Sequence, residues 1–235
     1  MMWVVVAAVV FDLDGVLVDS EPVWEEVRRR YVADHGGQWR PDTQRRLMGM
    51  STGEWARYLS NELGVRRAAE QVATEVVAQM AARYAAHVPL VPGADAVVRE
   101  LSRHWPMGLA SSSPPRLIRA ALDATGLAAT FAVTLSTEEV PHGKPAPDVY
   151  LAVAERLGVD PAGCVAVEDS SNGVRSAAAA GMRVVAVPHR RYPLDEDARV
   201  RATLVVADIG TVTPDAVRAA GTGGRSAGCR GTVAP

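Results

Sequence analysis

Two aspartates one residue apart, Asp12 and Asp14, close the apolar run VVVAAVVFDLDGVLVDS at residues 4–20, and Gly15 follows them. Alternate residues of a strand point to one face, so both carboxylates would share a side, opposite Leu13. Three more polar clusters stand downstream: Ser111-Ser112-Ser113, Lys144 in HGKPAPD, and Glu168-Asp169 in VEDSSNG. Two acidic clusters, a lysine and a hydroxyl make sense together around a phosphate group and a hard divalent cation. Mg²⁺ prefers oxygen ligands in a near-octahedral shell, supplied by a few carboxylates, water and phosphate.

In that reading Asp12 is a nucleophile that forms an aspartyl-phosphate, splitting one hard displacement into two easier ones. A carboxylate attacking a phosphate dianion meets like-charge repulsion, so a metal and a cation are needed. Asp169, helped by Glu168, would hold Mg²⁺ beside Asp12. Lys144 would offset charge on Asp12 and on the phosphoryl oxygens. Ser111 and the backbone N–H groups of the Ser112–Ser113 turn would donate to the phosphoryl group. Asp14 would protonate the leaving oxygen and then deprotonate the attacking water. Lys144 is the single lysine among 25 basic residues. Its survival in so arginine-rich a chain suggests a role for a compact point charge rather than a planar fork.

These residues need strands to aim them. Val4–Phe11 is continuously apolar, which predicts a strand buried on both faces of a parallel sheet. Further strands are expected at 107–110, 131–135, 164–167, 183–187 and 204–206. Helices are expected between them, at 94–105, 114–125, 146–157 and 172–180, with a last one at 214–220. Alternating strands and helices imply βαβ units with right-handed crossovers. In a doubly wound sheet the four polar clusters would meet at one edge.

Residues 20–88 show no strand signal. A helix is expected from Pro22, with Val23, Val27 and Tyr31 inward and Glu25, Glu26 and Arg28–Arg30 largely on the surface. Asp42–Met48 suits a short helix, Ser51–Glu54 fits a capping box, and an Ala-rich helix is expected at 67–87. The expected fold is thus α/β, a doubly wound, parallel-sheet, Rossmann-like core with an inserted all-helical unit. The core would span 1–19 and 89–220, the insertion 20–88, and a flexible Gly-rich tail 221–235.

Composition narrows the field. A net charge of −2 gives no electrostatic case for nucleic acid or an anionic membrane. The two cysteines, Cys164 and Cys229, make neither a disulfide framework nor a zinc spacing. The apolar start lacks a basic n-region and runs into FDLDG instead of a cleavage site, and no run is long enough for a bilayer. A cytoplasmic monomer acting on a small phosphorylated metabolite is the expectation.

FDLDGVLVDSEP resembles the first motif of the haloacid-dehalogenase-like phosphohydrolases, in the form carried by capped sugar-phosphate phosphatases and β-phosphoglucomutases. The similarity extends over about residues 4–210. It implies the same roles: Asp12 as nucleophile, Asp14 as acid/base whose backbone carbonyl also binds the metal, Ser111 for the second motif, Lys144 for the third, and Glu168-Asp169 for the fourth. It also implies that the helical insertion is a cap that closes over the core and reads the leaving group. Cap residues expected to meet substrate are Glu21, Trp24, Arg45, Arg46 and the turn at 49–52.

The resemblance also separates rivals. Haloacid dehalogenases lack an acid/base two residues after the nucleophile, and phosphonoacetaldehyde hydrolases use a cap lysine that this chain does not have. β-Phosphoglucomutases carry a histidine where Trp24 stands, an arginine apparently replaced by Thr52, and Lys-Asn where Pro114-Pro115 stand. DSEPVW with ASSSPP is closer to the hexitol- and deoxyhexose-phosphate phosphatases. The alternatives kept are a phosphosugar mutase and, in a different class, a non-catalytic phosphate-binding module. Receiver domains of the latter class have no cap, and their phosphorylated aspartate follows a later strand.

Overall fold

The computed structural model describes residues 5–47, 50–189 and 191–222. Met48, Gly49 and the tail from residue 223, with Cys229, lie outside them.

Six parallel strands form one sheet in the order β3-β2-β1-β4-β5-β6. They are β1 Ala8–Phe11, β2 Met107–Ser111, β3 Val133–Ser136, β4 Cys164–Glu168, β5 Arg183–Ala186 and β6 Leu204–Val205. The strand order reverses direction at β1, which lies between β2 and β4. That reversal leaves a crevice beyond the carboxyl ends of the strands.

Alternation along β1 explains its unbroken apolar run. Val9 and Phe11 pack into one hydrophobic cluster, which continues into the helical insertion, whereas Ala8 and Val10 pack into the other. The strand is shorter than the expected Val4–Phe11. Its register partners begin at Met107 and Cys164; the Ala7 N–H still reaches the Gly163 carbonyl at 2.8 Å, but Val5 is 79 % exposed.

Helices α1 Glu21–Asp34, α2 Thr43–Leu47, α3 Thr52–Asn61 and α4 Ala69–Ala86 make up the insertion between β1 and the rest of the core. The capping box forms as expected: the Ser51 backbone N–H donates to Glu54 Oε2 at 2.8 Å. On α1 the buried face is Trp24, Val27, Arg28, Tyr31 and Val32. Arg28 therefore corrects the expectation of a surface arginine. It is i+4 from Trp24, and packing between two indoles holds it inside.

The remaining helices are α5 Ala94–Leu101, α6 Pro115–Thr125, α7 Asp148–Leu157, α8 Ser171–Ala179, α9 Glu196–Arg201 and α10 Pro214–Gly221. Two start or stop short of the expected bounds next to prolines. A residue before proline avoids the α region. Helix α5 accordingly ends four residues before Trp105-Pro106, and α7 begins after Ala146-Pro147. Helix α9 escapes a periodicity reading because only Ala198 of its six residues is buried. Arg175 on α8 ties it down through Asp195 and Asp197.

Candidate active site

The acidic and basic groups at the crevice come from the ends of three strands: Asp12 and Asp14 follow β1, Lys144 lies in the loop after β3, and Glu168 and Asp169 close β4. Register pairs Phe11 with Val167, so Asp12 and Glu168 leave adjacent strands side by side. The Asp12 N–H donates to the Val167 carbonyl at 3.0 Å, which keeps the ladder going one residue past the strand. Beyond it Gly15 has φ +80°, a conformation that L residues avoid, and a Cβ there would overlap the Asp169 carboxylate. The turn after the first motif and the fourth motif are thus in contact.

Lys144 is the hub. Its Nζ donates to Asp12 Oδ1 at 2.7 Å, Glu168 Oε1 at 2.6 Å and the Ala110 carbonyl at 3.1 Å. It also stands 5.1 Å from the centre of the Tyr150 ring. Burial works against its charge, but Asp12 and Glu168 together hold it above the ordinary lysine value. Burial acts the other way on Asp12. Desolvation, with Glu168 and Asp14 nearby, pushes its carboxyl up to about 8 despite Lys144. Asp169 is raised for the same reasons, burial first and then Glu168 and Asp12.

Crowded, desolvated carboxylates of this kind suit a cation. Carboxylate oxygens of Asp12, Glu168 and Asp169 lie within 4.8 Å of one another, and all three residues are buried. The donors are hard oxygens, which fits Mg²⁺ and not a soft metal. Glu168 is already well occupied. Oε1 accepts from Lys144 and from Tyr150 Oη at 2.8 Å, and Oε2 accepts from the Asp169 and Ser170 N–H groups. Ser170 Oγ in turn accepts from the Gly173 N–H and caps α8.

Asp14 is bonded to the second motif and not to Lys144. Oδ2 accepts from Ser113 Oγ at 2.8 Å and Ser111 Oγ at 3.1 Å, while Oδ1 is buried without a partner. Ser111 is wholly buried and also accepts from the Ser113 N–H at 2.9 Å. Ser112 lines the open cavity beside these groups.

That cavity is about 570 Å³ and lies between core and insertion. Asp12, Asp14, Lys144 and Asp169 line its floor. Glu21, Trp24, Arg28, Arg45 and Trp55 come from the insertion. Glu21 accepts from Gln44 Nε2 at 2.5 Å. Burial raises its carboxyl above the usual range, against the pull of Arg28. Trp24 packs on Trp55 with centroids 5.9 Å apart. Arg45 is exposed at the mouth. Arg46 is exposed as well and pairs with Asp42 at 2.6 Å, an i, i+4 contact on the helix surface and not in the cavity. Of the turn at 49–52, Met50 and Thr52 line the cavity, and Gly49 lies outside the described residues.

Sequence reasoning missed Arg28, Trp55, Tyr150 and Asn172. The signal for Arg28 was available. Glu21, Trp24 and Arg28 fall at i, i+3 and i+7, one face of a helix. Trp55 and Asn172 reach the cavity only through tertiary packing.

A family model described as haloacid dehalogenase-like hydrolase matches residues 6–181. Hexitol phosphatase B of Escherichia coli K12 is 37 % identical over 190 residues, covering 78 % of this chain and 84 % of that one. A phosphorylated carbohydrates phosphatase of Thermotoga maritima is 34 % identical over 184 residues, covering 77 % and 85 %. A crystal structure of CbbY from Rhodobacter sphaeroides in complex with phosphate superposes with a TM-score of 0.80 at 24 % identity, covering 90 % and 99 %; it shares the fold. With four motifs in order, a parallel sheet that presents them at one edge and a helical insertion above, the chain belongs to the haloacid dehalogenase-like hydrolases, in the branch of capped sugar-phosphate phosphatases and β-phosphoglucomutases.

Proposed function

We propose that this phosphoric monoester hydrolase is a Mg²⁺-dependent phosphatase of small phosphorylated metabolites, sugar or polyol phosphates among them, working through an aspartyl-phosphate on Asp12. The observation that carries the reading is that the two aspartates have different partners. Asp12 is tied to Lys144 beside the acidic cluster, whereas Asp14 is tied to Ser111 and Ser113. Two carboxylates in different surroundings can take different roles.

The chain's own groups supply the steps. An Asp12 oxygen attacks phosphorus, and the bond from phosphorus to the leaving oxygen breaks. Protonated Asp14 gives its proton to that oxygen and becomes a carboxylate. A water then attacks the aspartyl-phosphate. Asp14 takes its proton, and phosphate leaves with Asp12 restored. Lys144 balances the charge that gathers on Asp12 and the phosphoryl oxygens. Ser112, which lines the cavity, and the adjacent N–H groups would hold those oxygens. Asp12, Asp169 and the Asp14 carbonyl would ligate Mg²⁺, with Glu168 in support. The metal would neutralise the phosphoryl group. The insertion excludes water and selects the leaving group. Relatives named for hexitol and phosphorylated carbohydrates support sugar or polyol esters as the substrate class.

The test is phosphate release from a panel of sugar, polyol and glycolate phosphates with Mg²⁺ or EDTA, beside Asp12→Asn. Metal-dependent release lost in Asp12→Asn is expected. Isomerisation of β-glucose 1-phosphate without net release would point to a mutase. Phosphate binding with no turnover would point to a binding module.

A further inference from the structure

Arg28 is a cation inside the insertion that makes no hydrogen bond or ion pair among the described residues. It is 5 % exposed, and its Nε is buried with no acceptor. Its guanidinium carbon stands 4.3 Å from the centre of the Trp24 ring and 4.9 Å from that of Trp55. Two indoles therefore hold it in place, yet neither can accept its in-plane N–H groups. Glu21 and Asp14 are close enough to favour its charge, but Glu21 bonds to Gln44 and Asp14 to Ser111 and Ser113, and no carboxylate among the described residues makes a hydrogen bond with Arg28. Arg28 lines the same cavity as Asp12 and Asp14. An immobilised fork that lines the cavity with a buried, unsatisfied Nε is suited to an anionic ligand.

We propose that Arg28 determines specificity by binding a carboxylate on the leaving group, so that the preferred substrates are phosphate monoesters of small hydroxy acids such as sugar acids. This rests on the phosphatase reading and narrows it. A carboxylate matches the planar fork with two oxygens and balances one positive charge with one negative. A neutral polyol would offer the guanidinium only uncharged acceptors, whose hydrogen bonds are weaker. A second phosphate would bring a dianion past Glu21 and Asp14, with one arginine to offset it.

The test compares gluconate 6-phosphate, glucitol 6-phosphate and fructose 1,6-bisphosphate on the wild type, Arg28→Gln and Arg28→Met. Thermal unfolding checks that both variants fold, and methionine keeps the contact with the indoles. Phosphate release with Mg²⁺ should favour the gluconate ester. Its kcat/KM should fall about 100-fold in either variant, at least tenfold more than that of the glucitol ester, as loss of a charge-assisted pair implies. The loss should appear in KM, since Arg28 would hold the leaving group in ground state and transition state alike. Equal losses on all three esters, or wild-type preference for the glucitol ester, would overturn the proposal. A bisphosphate most sensitive to Arg28 would overturn it in favour of a distal phosphate site. Calorimetric binding to Asp12→Asn, with and without Arg28→Gln, reads the contact independently of turnover. Tenfold weaker gluconate 6-phosphate binding in the double variant supports it even if no ester is hydrolysed, a result that would sink only the phosphatase reading. Unchanged binding would sink the Arg28 assignment alone.

Discussion

Tyr150 Oη donates to Glu168 Oε1 at 2.8 Å, with both residues fully buried. The same oxygen accepts from Lys144, so the tyrosine fixes the carboxylate that in turn fixes the lysine. Tyr150→Phe keeps the ring beneath Lys144 and deletes one donor to a buried charge. We expect a stability loss of about 1–3 kcal/mol in urea unfolding. The Mg²⁺ concentration for half-maximal activity should rise, because Glu168 gains freedom. An unchanged metal requirement would make Tyr150 a packing residue only.

The serines on Asp14 predict a dependence on the leaving group. Asp14→Asn removes the proton donor but leaves a side chain that the Ser111 and Ser113 hydroxyls can still contact. Hydrolysis of alkyl phosphates should fall by about 10²–10⁴. p-Nitrophenyl phosphate, whose leaving oxygen needs little protonation, should lose less at the first step. A single-turnover comparison of the two esters checks this. Equal losses would remove Asp14 from leaving-group protonation.

Lys144→Arg tests charge against shape. The native ammonium places three donors on Asp12, Glu168 and the Ala110 carbonyl from one atom. A planar guanidinium cannot meet those three directions in the same space. We expect kcat to fall by about 10²–10³, as when one preorganised donor is removed, with far-ultraviolet circular dichroism unchanged. Near-normal turnover would mean that charge alone suffices there.

Glu21 carries a pH signature. Burial holds its folded-state pKa above the ordinary value of 4.5, so the folded chain binds that proton more tightly than the unfolded chain does. Its contribution to stability is present below 4.5 and declines as pH rises through the folded pKa. Glu21→Gln removes this ionisation and keeps a group that Gln44 can bond. The difference in melting temperature, variant minus wild type, should therefore increase from pH 4 to pH 8. A flat difference would show that Glu21 titrates normally.

Much of the site was legible in the chain because strand geometry is local. A buried parallel strand must be apolar on both faces, so the abrupt appearance of Asp12 and Asp14 marked its carboxyl end, and a two-residue period put them on one side. The same logic located Ser111 and Glu168 at strand ends. The lone lysine stood out by composition, although its contact with Asp12 joins residues 132 apart. Helix ends were less legible where prolines shortened them, as at Trp105-Pro106 and Ala146-Pro147.

What tertiary structure decided was the use of side chains that could serve either surface or interior. An arginine on an amphipathic helix is ordinarily solvated, because burying its charge is costly. Only the meeting of α1 and α3 brings Trp24 and Trp55 together around Arg28 and makes the interior position tenable. Likewise no local pattern told Tyr150 to face Glu168, or Ser113 to turn to Asp14 across 99 residues. The amino-acid sequence by itself determined which groups stand at the strand ends. The packing of the insertion on the sheet determined which of its side chains share their cavity, because that depends on contacts between elements and not on the period of any one of them.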